Sequence, residues 1–274
     1  MLIINSPHNP RLKDAVRLVA SAHERRKSRR CVLEGEHLLE MYVARHGSPH
    51  TLIVTEAYAQ IPLVKTLALQ LDEHSLLCVS DALFKSIASL PPAVGMLAVI
   101  DQPSAATSSG AFCVLLEDVQ DPGNVGAILR TAAAAGVTHA VLSKHCASAW
   151  SPKVLRAAQG AHFLLEIVED ADACEWAHTF RAGGGIIIGT LAADGQNVFT
   201  APQLRHRPLA LVFGNEGAGL SDALAQLVDA AVTIPMPGRM ESLNVASAAA
   251  VVLFECVRRT GITTEPTSLT KKLP

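Results

Sequence analysis

Aromatic residues are scarce in this chain: Phe, Trp and Tyr together make up 4% of 274 residues. That scarcity argues against a broad aromatic platform for stacking nucleic-acid bases. Long apolar runs are missing too, and none reaches the roughly 18–20 residues of a membrane span. The opening stretch, Met1-Leu2-Ile3-Ile4-Asn5-Ser6-Pro7, has neither the charged start nor the long apolar core of a secretory signal. The six cysteines are scattered, with no C-x-x-C pair, so a zinc ribbon or dithiol site is not expected and no metal is assigned. Reduced thiols in a cytoplasmic protein fit this usage. Strong positive charge is absent as well: the net charge of −2 argues against a wholly basic nucleic-acid binder.

What remains is the composition of an ordinary globular protein, 49% apolar and 18% charged. Charge is unevenly spread. Arg11, Lys13, Arg17, Arg25, Arg26, Lys27, Arg29 and Arg30 face only Asp14 and Glu24 in the first thirty residues. A local basic patch attracts phosphates even on a neutral chain. Arg25, Arg26, Lys27, Arg29 and Arg30 are therefore candidate contacts for nucleic-acid phosphates. A solvated helix face explains the same run equally well.

Residues 102–110 are rich in Pro, Ser, Thr and Gly and lack apolar periodicity, which marks a linker. It separates a region over residues 1–101 from one over residues 111–274. In the first, a helix pattern follows Asn9-Pro10 and another follows Gly35. Strand candidates are Cys31–Leu33, Thr51–Thr55, Leu76–Val79 and Met96–Ile100. This mixture predicts a small α/β sandwich.

The second region alternates more clearly. Strands are predicted at Phe112–Leu116, Ala140–Ser143, Phe163–Val168, Gly185–Leu191, Leu209–Phe213 and Ala231–Ile234. Helices are predicted at Val125–Ala135, Pro152–Ala158, Ala171–Arg181, Asp222–Leu227 and Ser242–Arg259. The alternation implies an α/β fold with a mainly parallel sheet covered on both faces. The small, apolar run Val245–Val257 predicts a deeply buried last helix, and the polar tail Gly261–Pro274 is expected to fray.

Three polar segments stand at the ends of these strands, where α/β domains bind ligands. The first, Leu116–Gly126, presents Asn124 and Arg130 six positions apart. Asn124 suits a helix N-cap, and Arg130 suits a phosphate or carboxylate partner, being the lone cation of a small, apolar helix. The second, Phe213–Leu220, holds Glu216 within a glycine cluster; it reads either as a tight turn with a solvated glutamate or as a close backbone approach to a ligand. It lacks the G-x-G-x-x-G spacing of dinucleotide folds, and the chain has no Walker-type Gly-Lys-Ser/Thr. The third runs from Ile234-Pro235-Met236-Pro237 to Ser242-Leu243-Asn244-Val245, where Ser242 or Asn244 could cap the last helix.

In order and spacing, Asn124-Val125-Gly126 through Arg130, Gly214-Asn215-Glu216 through Gly219, and Ile234-Pro235-Met236 with Ser242-Leu243-Asn244-Val245 resemble the SpoU (TrmH-like) branch of the SPOUT methyltransferases. Ser6-Pro7-His8-Asn9-Pro10 and Leu33-Glu34-Gly35 extend the likeness to the small RNA-recognition domain of ribosomal-RNA members. Ala246 departs from the pattern, since many members carry serine there.

The resemblance implies a trefoil-knotted SPOUT domain after a small α/β RNA-binding domain. It implies S-adenosylmethionine-dependent 2′-O-methylation of RNA ribose, with large-subunit ribosomal RNA favoured over transfer RNA, and a homodimer formed through the knotted domain. Carried over residue by residue, it places Arg130, Asn124, Glu216, Ser242 and Asn244 at the reaction centre. Arg130 would hold an RNA phosphate, oriented by Glu216, and the others would shape the nucleotide pocket. Gly214, Ile234, Leu243, Thr190, Asn215 and Met236 would hold the cofactor. A non-catalytic RNA-binding or ribosome-assembly protein of the same fold is the rival reading. A nucleotide-dependent doubly wound enzyme is a second, and the missing glycine fingerprint weighs against it.

Overall fold

The computed structural model describes residues 3–4, 6–72, 74–88, 95–104 and 110–261. The centre of the expected linker and the tail beyond Gly261 lie outside the described residues. Five strands build the first sheet: β1 (Ile3–Ile4), β2 (Arg30–Glu34), β3 (Thr51–Thr55), β4 (Leu76–Val79) and β5 (Met96–Asp101), in the order β1-β4-β3-β5-β2. The first three in that order are parallel, and β5 runs antiparallel to both its neighbours. Its helices are α1 (Pro10–Ala20), α2 (Ala22–Ser28), α3 (Glu36–His46), α4 (Pro62–Ala68) and α5 (Asp81–Ile87).

Alternation along the strands sorts these helices to two faces. Val32, Ile53 and Leu97 pack with Leu12 and Leu18 of α1 and Phe84 of α5. Leu33, Leu52, Val54 and Ala98 pack instead with Leu39 and Tyr42 of α3 and Val64 and Leu67 of α4. This second cluster continues into the other sheet. There the Tyr42 and Phe163 rings meet edge to face at 5.5 Å, and Arg45 Nε donates to the Phe163 carbonyl at 2.9 Å.

The second sheet has seven strands: β6 (Phe112–Leu116), β7 (His139–Ser143), β8 (Glu166–Ala171), β9 (Ile186–Leu191), β10 (Gln196–Asn197), β11 (Leu209–Phe213) and β12 (Ala230–Thr233). The order is β10-β12-β9-β11-β6-β7-β8, and every neighbouring pair is parallel. Its helices are α6 (Pro122–Ala134), α7 (Pro152–Ala158), α8 (Ala173–Ala182), α9 (Asp222–Ala225) and α10 (Val245–Thr260). From β6 the chain winds outward through β7 and β8, then crosses to β9 and returns to lay β11 between β9 and β6. The winding direction reverses there, which opens a crevice outside the strand carboxyl ends.

Several sequence expectations shift. Phe163 belongs to a short 3₁₀ turn, and the strand predicted from it starts at Glu166. Asp121, not Asn124, caps α6: its side chain accepts from the Asn124 amide, with Pro122 in the first turn. Asn244 rather than Ser242 caps α10, accepting from the amides of Ala246 and Ser247. Helix α10 is only partly buried, since Phe254 remains 49% exposed.

Candidate functional site

Because Asp121 caps α6, the Asn124 side chain is released from local duty and reaches across the crevice. Its Nδ2 donates to Glu216 Oε1 at 2.9 Å, and its Oδ1 accepts from Asn244 Nδ2 at 2.9 Å. Asn244 Oδ1 in turn accepts from Ala246 N at 2.9 Å, anchoring the chain of bonds to the start of α10. One residue from each of the three polar segments thus joins a single network.

Glu216 is presented by a loop that is rigid for local reasons. Asn215 and Gly219 exchange backbone hydrogen bonds at 2.9 and 3.0 Å. Asn215 Oδ1 accepts from Gly217 N and Ala218 N, while its Nδ2 donates to the Asp118 carbonyl at 2.8 Å. A Cβ at Gly214 would strike the Gly219 carbonyl, so only glycine permits this close approach of backbone to backbone. Gly219 itself has φ +72°, the left-handed region.

Around this loop lies a cavity of about 600 Å³, walled by Thr190 from the end of β9, Gly214–Gly219 after β11, Ile234 and Met236 after β12, and Ser242, Leu243 and Asn244 before α10. Thr190 Oγ1 is held by the Val212 carbonyl at 2.8 Å, tying β9 to β11 beneath the wall. The volume lies within the range of roughly 300–1,000 Å³ usual for a small-molecule site. The sequence reading assigned no cofactor role to Leu191, Ala192, Val232, Glu241, Val245, Ala248 and Val252, which complete the lining. The last three recur at i, i+3 and i+7, a stripe that reads equally as ordinary core.

Arg130 is placed differently from its expected pairing. It is exposed and lies outside the cavity lining, and Glu216 meets Asn124 rather than Arg130. The reason is helical rise: six residues along α6 separate Arg130 from Asn124 by about 9 Å. Among the described residues no hydrogen bond or ion pair holds the Arg130 guanidinium.

The basic run also divides. Arg25 is 5% exposed, and its Nη1 donates to the carbonyls of Leu18 and Val19, so it closes the end of α1 and is withdrawn from any RNA. Arg26 pairs with Asp170 of β8 at 3.0 Å, and Arg30 pairs with Asp101 at 2.9 Å. Lys27 and Arg29 stay exposed.

Covalent chemistry through sulfur finds no support. Cys146 stands at the carboxyl end of β7, and burial pushes its thiol above the ordinary range. Cys113 and Cys256 are core residues whose thiols burial pushes up to about 12. No cluster of three or more His, Cys, Asp or Glu suited to a metal ion occurs among the described residues. Among the same residues no helix is long and apolar enough to cross a membrane.

The SpoU rRNA Methylase family profile matches residues 111–254, the region that carries every wall of this cavity. The chain is a SpoU methylase. In this SpoU methylase, residues 9–98 match the MRM3-like substrate binding domain profile. The chain is 32% identical over 251 residues to the 23S rRNA (guanosine(2553)-2′-O)-methyltransferase RlmP of Bacillus subtilis, covering 92% of this chain and 97% of that protein. Among solved structures it is similar to the SpoU methyltransferase AviRb from Streptomyces viridochromogenes in complex with AdoMet, with TM-score 0.77, 27% identity, and 92% and 98% of the two chains covered. The AdoMet-bound rRNA methyltransferase from Sinorhizobium meliloti superimposes with TM-score 0.81 at 27% identity over 94% of this chain and 98% of that one. The cavity of this SpoU methylase suits S-adenosylmethionine: it sets the glycine loop and the polar residues Thr190, Ser242 and Asn244 beside apolar Ile234, Met236 and Leu243.

Proposed function

We propose that this SpoU methylase transfers a methyl group to the ribose 2′-oxygen of a nucleotide in large-subunit ribosomal RNA. The observation that carries the reading is the convergence of Asn124, Glu216 and Asn244 at the mouth of a glycine-walled cavity. Binding alone does not call for such a network, whereas a reaction that must fix a nucleotide in one pose does.

In this reading Gly214, Asn215, Thr190, Ile234, Met236 and Leu243 hold S-adenosylmethionine, whose sulfonium supplies an electrophilic methyl group. Asn124, Ser242 and Asn244 shape the pocket for the target nucleotide. Arg130 is permanently protonated, which makes it a poor base and a good phosphate ligand. Its charge draws the RNA in and lowers the pKa of the ribose hydroxyl. Glu216 acts one step away, by fixing Asn124.

Residues 1–101 form the RNA substrate-recognition unit, 102–110 the linker and 111–274 the methyltransferase unit, whose carboxyl-end loops are threaded as a trefoil knot. Two copies pair through the methyltransferase units. The exposed Phe254 on α10 and the unengaged Arg130 on the adjoining α6 support that pairing, because a dimer buries the first and gives the second a site to complete. A cytoplasmic location completes this reading.

The test is a comparison of ribosomal RNA from cells lacking the gene with RNA from complemented cells. Mass spectrometry should find one 2′-O-methylated nucleotide of large-subunit RNA lost and then restored. An unchanged ribosomal pool with a loss confined to transfer RNA would move the substrate assignment.

A further inference from the structure

Glu117, at the carboxyl end of β6, takes no part in the network described above. Yet the residue is only 8% exposed, and its carboxylate is engaged through both oxygens by one residue from the far side of the chain. Ser221 N donates to Oε2 at 2.8 Å and Ser221 Oγ donates to Oε1 at 2.6 Å. Charge-assisted bonds of this length are roughly twice as strong as neutral ones. A buried carboxylate must be repaid in this way, because stripping its water is costly.

The position of Ser221 gives this pair its meaning. It directly follows the Gly214–Leu220 turn that walls the cavity. Its hydroxyl also accepts from Leu224 N at 3.2 Å, so it joins the turn to α9. The other end of the turn is fastened by the next residue of the same strand end, since the Asp118 carbonyl accepts from Asn215 Nδ2 at 2.8 Å. Asp118 sits at φ +55° and is braced by Ser143, whose Oγ accepts from Asp118 N at 2.9 Å and donates to Asp118 Oδ1 at 2.7 Å. Between these two fastenings the Asn215–Gly219 backbone pair closes the turn, and the amides of Gly217 and Ala218 donate to the Asn215 side chain. Consecutive residues that follow β6 thus fasten both ends of this locally closed turn to the sheet.

We propose that Glu117 is a positioning residue for the cofactor: its two-oxygen grip on Ser221 holds the Gly214–Leu220 turn in the form that receives S-adenosylmethionine. This rests on the reading of that turn as the cofactor wall.

Glu117→Gln keeps the shape but replaces one accepting oxygen with a donor facing Ser221. Ser221→Ala removes both the hydroxyl's bond to Glu117 and its cap on Leu224 N, and leaves the backbone contact. Ser221→Thr keeps the hydroxyl. Isothermal titration with S-adenosylmethionine and steady-state kinetics on ribosomal RNA should be run on all three, with melting temperatures. Glu117→Gln should weaken cofactor binding by about tenfold and Ser221→Ala by about threefold, as expected for losing charge-assisted bonds. Both should leave the KM for RNA unchanged, and Ser221→Thr should bind the cofactor like the parent.

Parent affinity in either Glu117→Gln or Ser221→Ala overturns the proposal. So does a parallel loss of cofactor and RNA binding that Ser221→Thr shares, because that pattern marks a purely structural bond. If Glu117→Gln fails to fold, Ser221→Ala and Ser221→Thr decide alone. Gly214→Ala separates the two layers. Parent cofactor affinity there removes the cofactor wall and the proposal together. Weakened binding there, with Ser221→Ala unaffected, removes the proposal alone.

Discussion

Asn124 and Glu216, ninety-two positions apart in sequence, meet at 2.9 Å across the mouth of the cavity. The amide of Asn124 spans two elements: it gives a hydrogen to the glycine loop and takes one from the residue that caps α10. Removing Asn124 frees both the loop carboxylate and the side chain that caps α10.

Asn124→Ala should therefore lower turnover by about a hundredfold, the cost of a small misplacement at a reaction centre, while cofactor affinity stays within a factor of about two. Glu216→Ala should behave similarly. The double variant should lose little more than either single one, because the two residues act through one contact. Additive losses in a kinetic double-mutant cycle would show that they work independently.

Arg130→Lys keeps the positive charge but gives up the planar, forked donor geometry. It should retain cofactor affinity and lose most turnover at saturating RNA. Turnover equal to the parent enzyme in single-turnover methyl transfer would remove Arg130 from the mechanism.

The basic run near the N-terminus should split by role. Arg25→Ala strips two backbone carbonyls of their buried donor and should lower stability by about 1–3 kcal/mol, measured by denaturant unfolding. Lys27→Ala with Arg29→Ala should leave stability alone and weaken RNA binding. Each RNA phosphate left without its cation should reduce the slope of log affinity against log salt by about 0.7–0.9. An unchanged slope would place the RNA elsewhere.

How far the sequence disclosed this arrangement depended on the physical origin of each signal. Strands β6 and β11 are legible to the residue because buried central strands are continuous runs of Val, Leu and Phe. The two-residue edge strands β1 and β10 carry no periodicity and are invisible. Helix α2, Ala22–Ser28, is hidden inside its own charge, and only the fold separates Arg25 from its neighbours. Asp121-Pro122 carries the same capping signature as Ser151-Pro152, yet Asn124 is an equally good capping residue type three positions on, so residue type alone does not choose between them. The three site segments stand out by their residue types. Their mutual contacts do not, because no local pattern tells Glu216 that its partner is Asn124 rather than Arg130.

Acid should destabilise the enzyme in two stages. Burial holds His162 neutral, with its pKa pushed down to about 4 from 6.5; one ring nitrogen meets the Ala149 carbonyl at 2.7 Å and the other is buried without a partner. Below pH 6.5 the unfolded chain binds a proton that the folded chain excludes, so stability falls as pH drops from 6.5 toward 4. Glu255, bonded to Arg258 and Arg259, is held down to about 2 from 4.5, and a second loss follows as pH falls between those values. His162→Phe should shrink the first stage to the share of His46, whose imidazole burial also pushes down, and keep the second in pH-dependent urea unfolding. A parent enzyme equally stable at pH 6.5 and pH 4.5 would contradict the assignment.

The most direct test of the central claim is transfer of labelled methyl from S-adenosylmethionine to unmodified ribosomal and transfer RNA, with the products resolved as nucleosides by mass spectrometry. A 2′-O-methylated nucleoside in large-subunit RNA, formed about a hundredfold more slowly with Asn124→Ala, is the predicted result. Label on a base rather than a ribose, or none in ribosomal RNA as naked strand or as assembled particle, would contradict it.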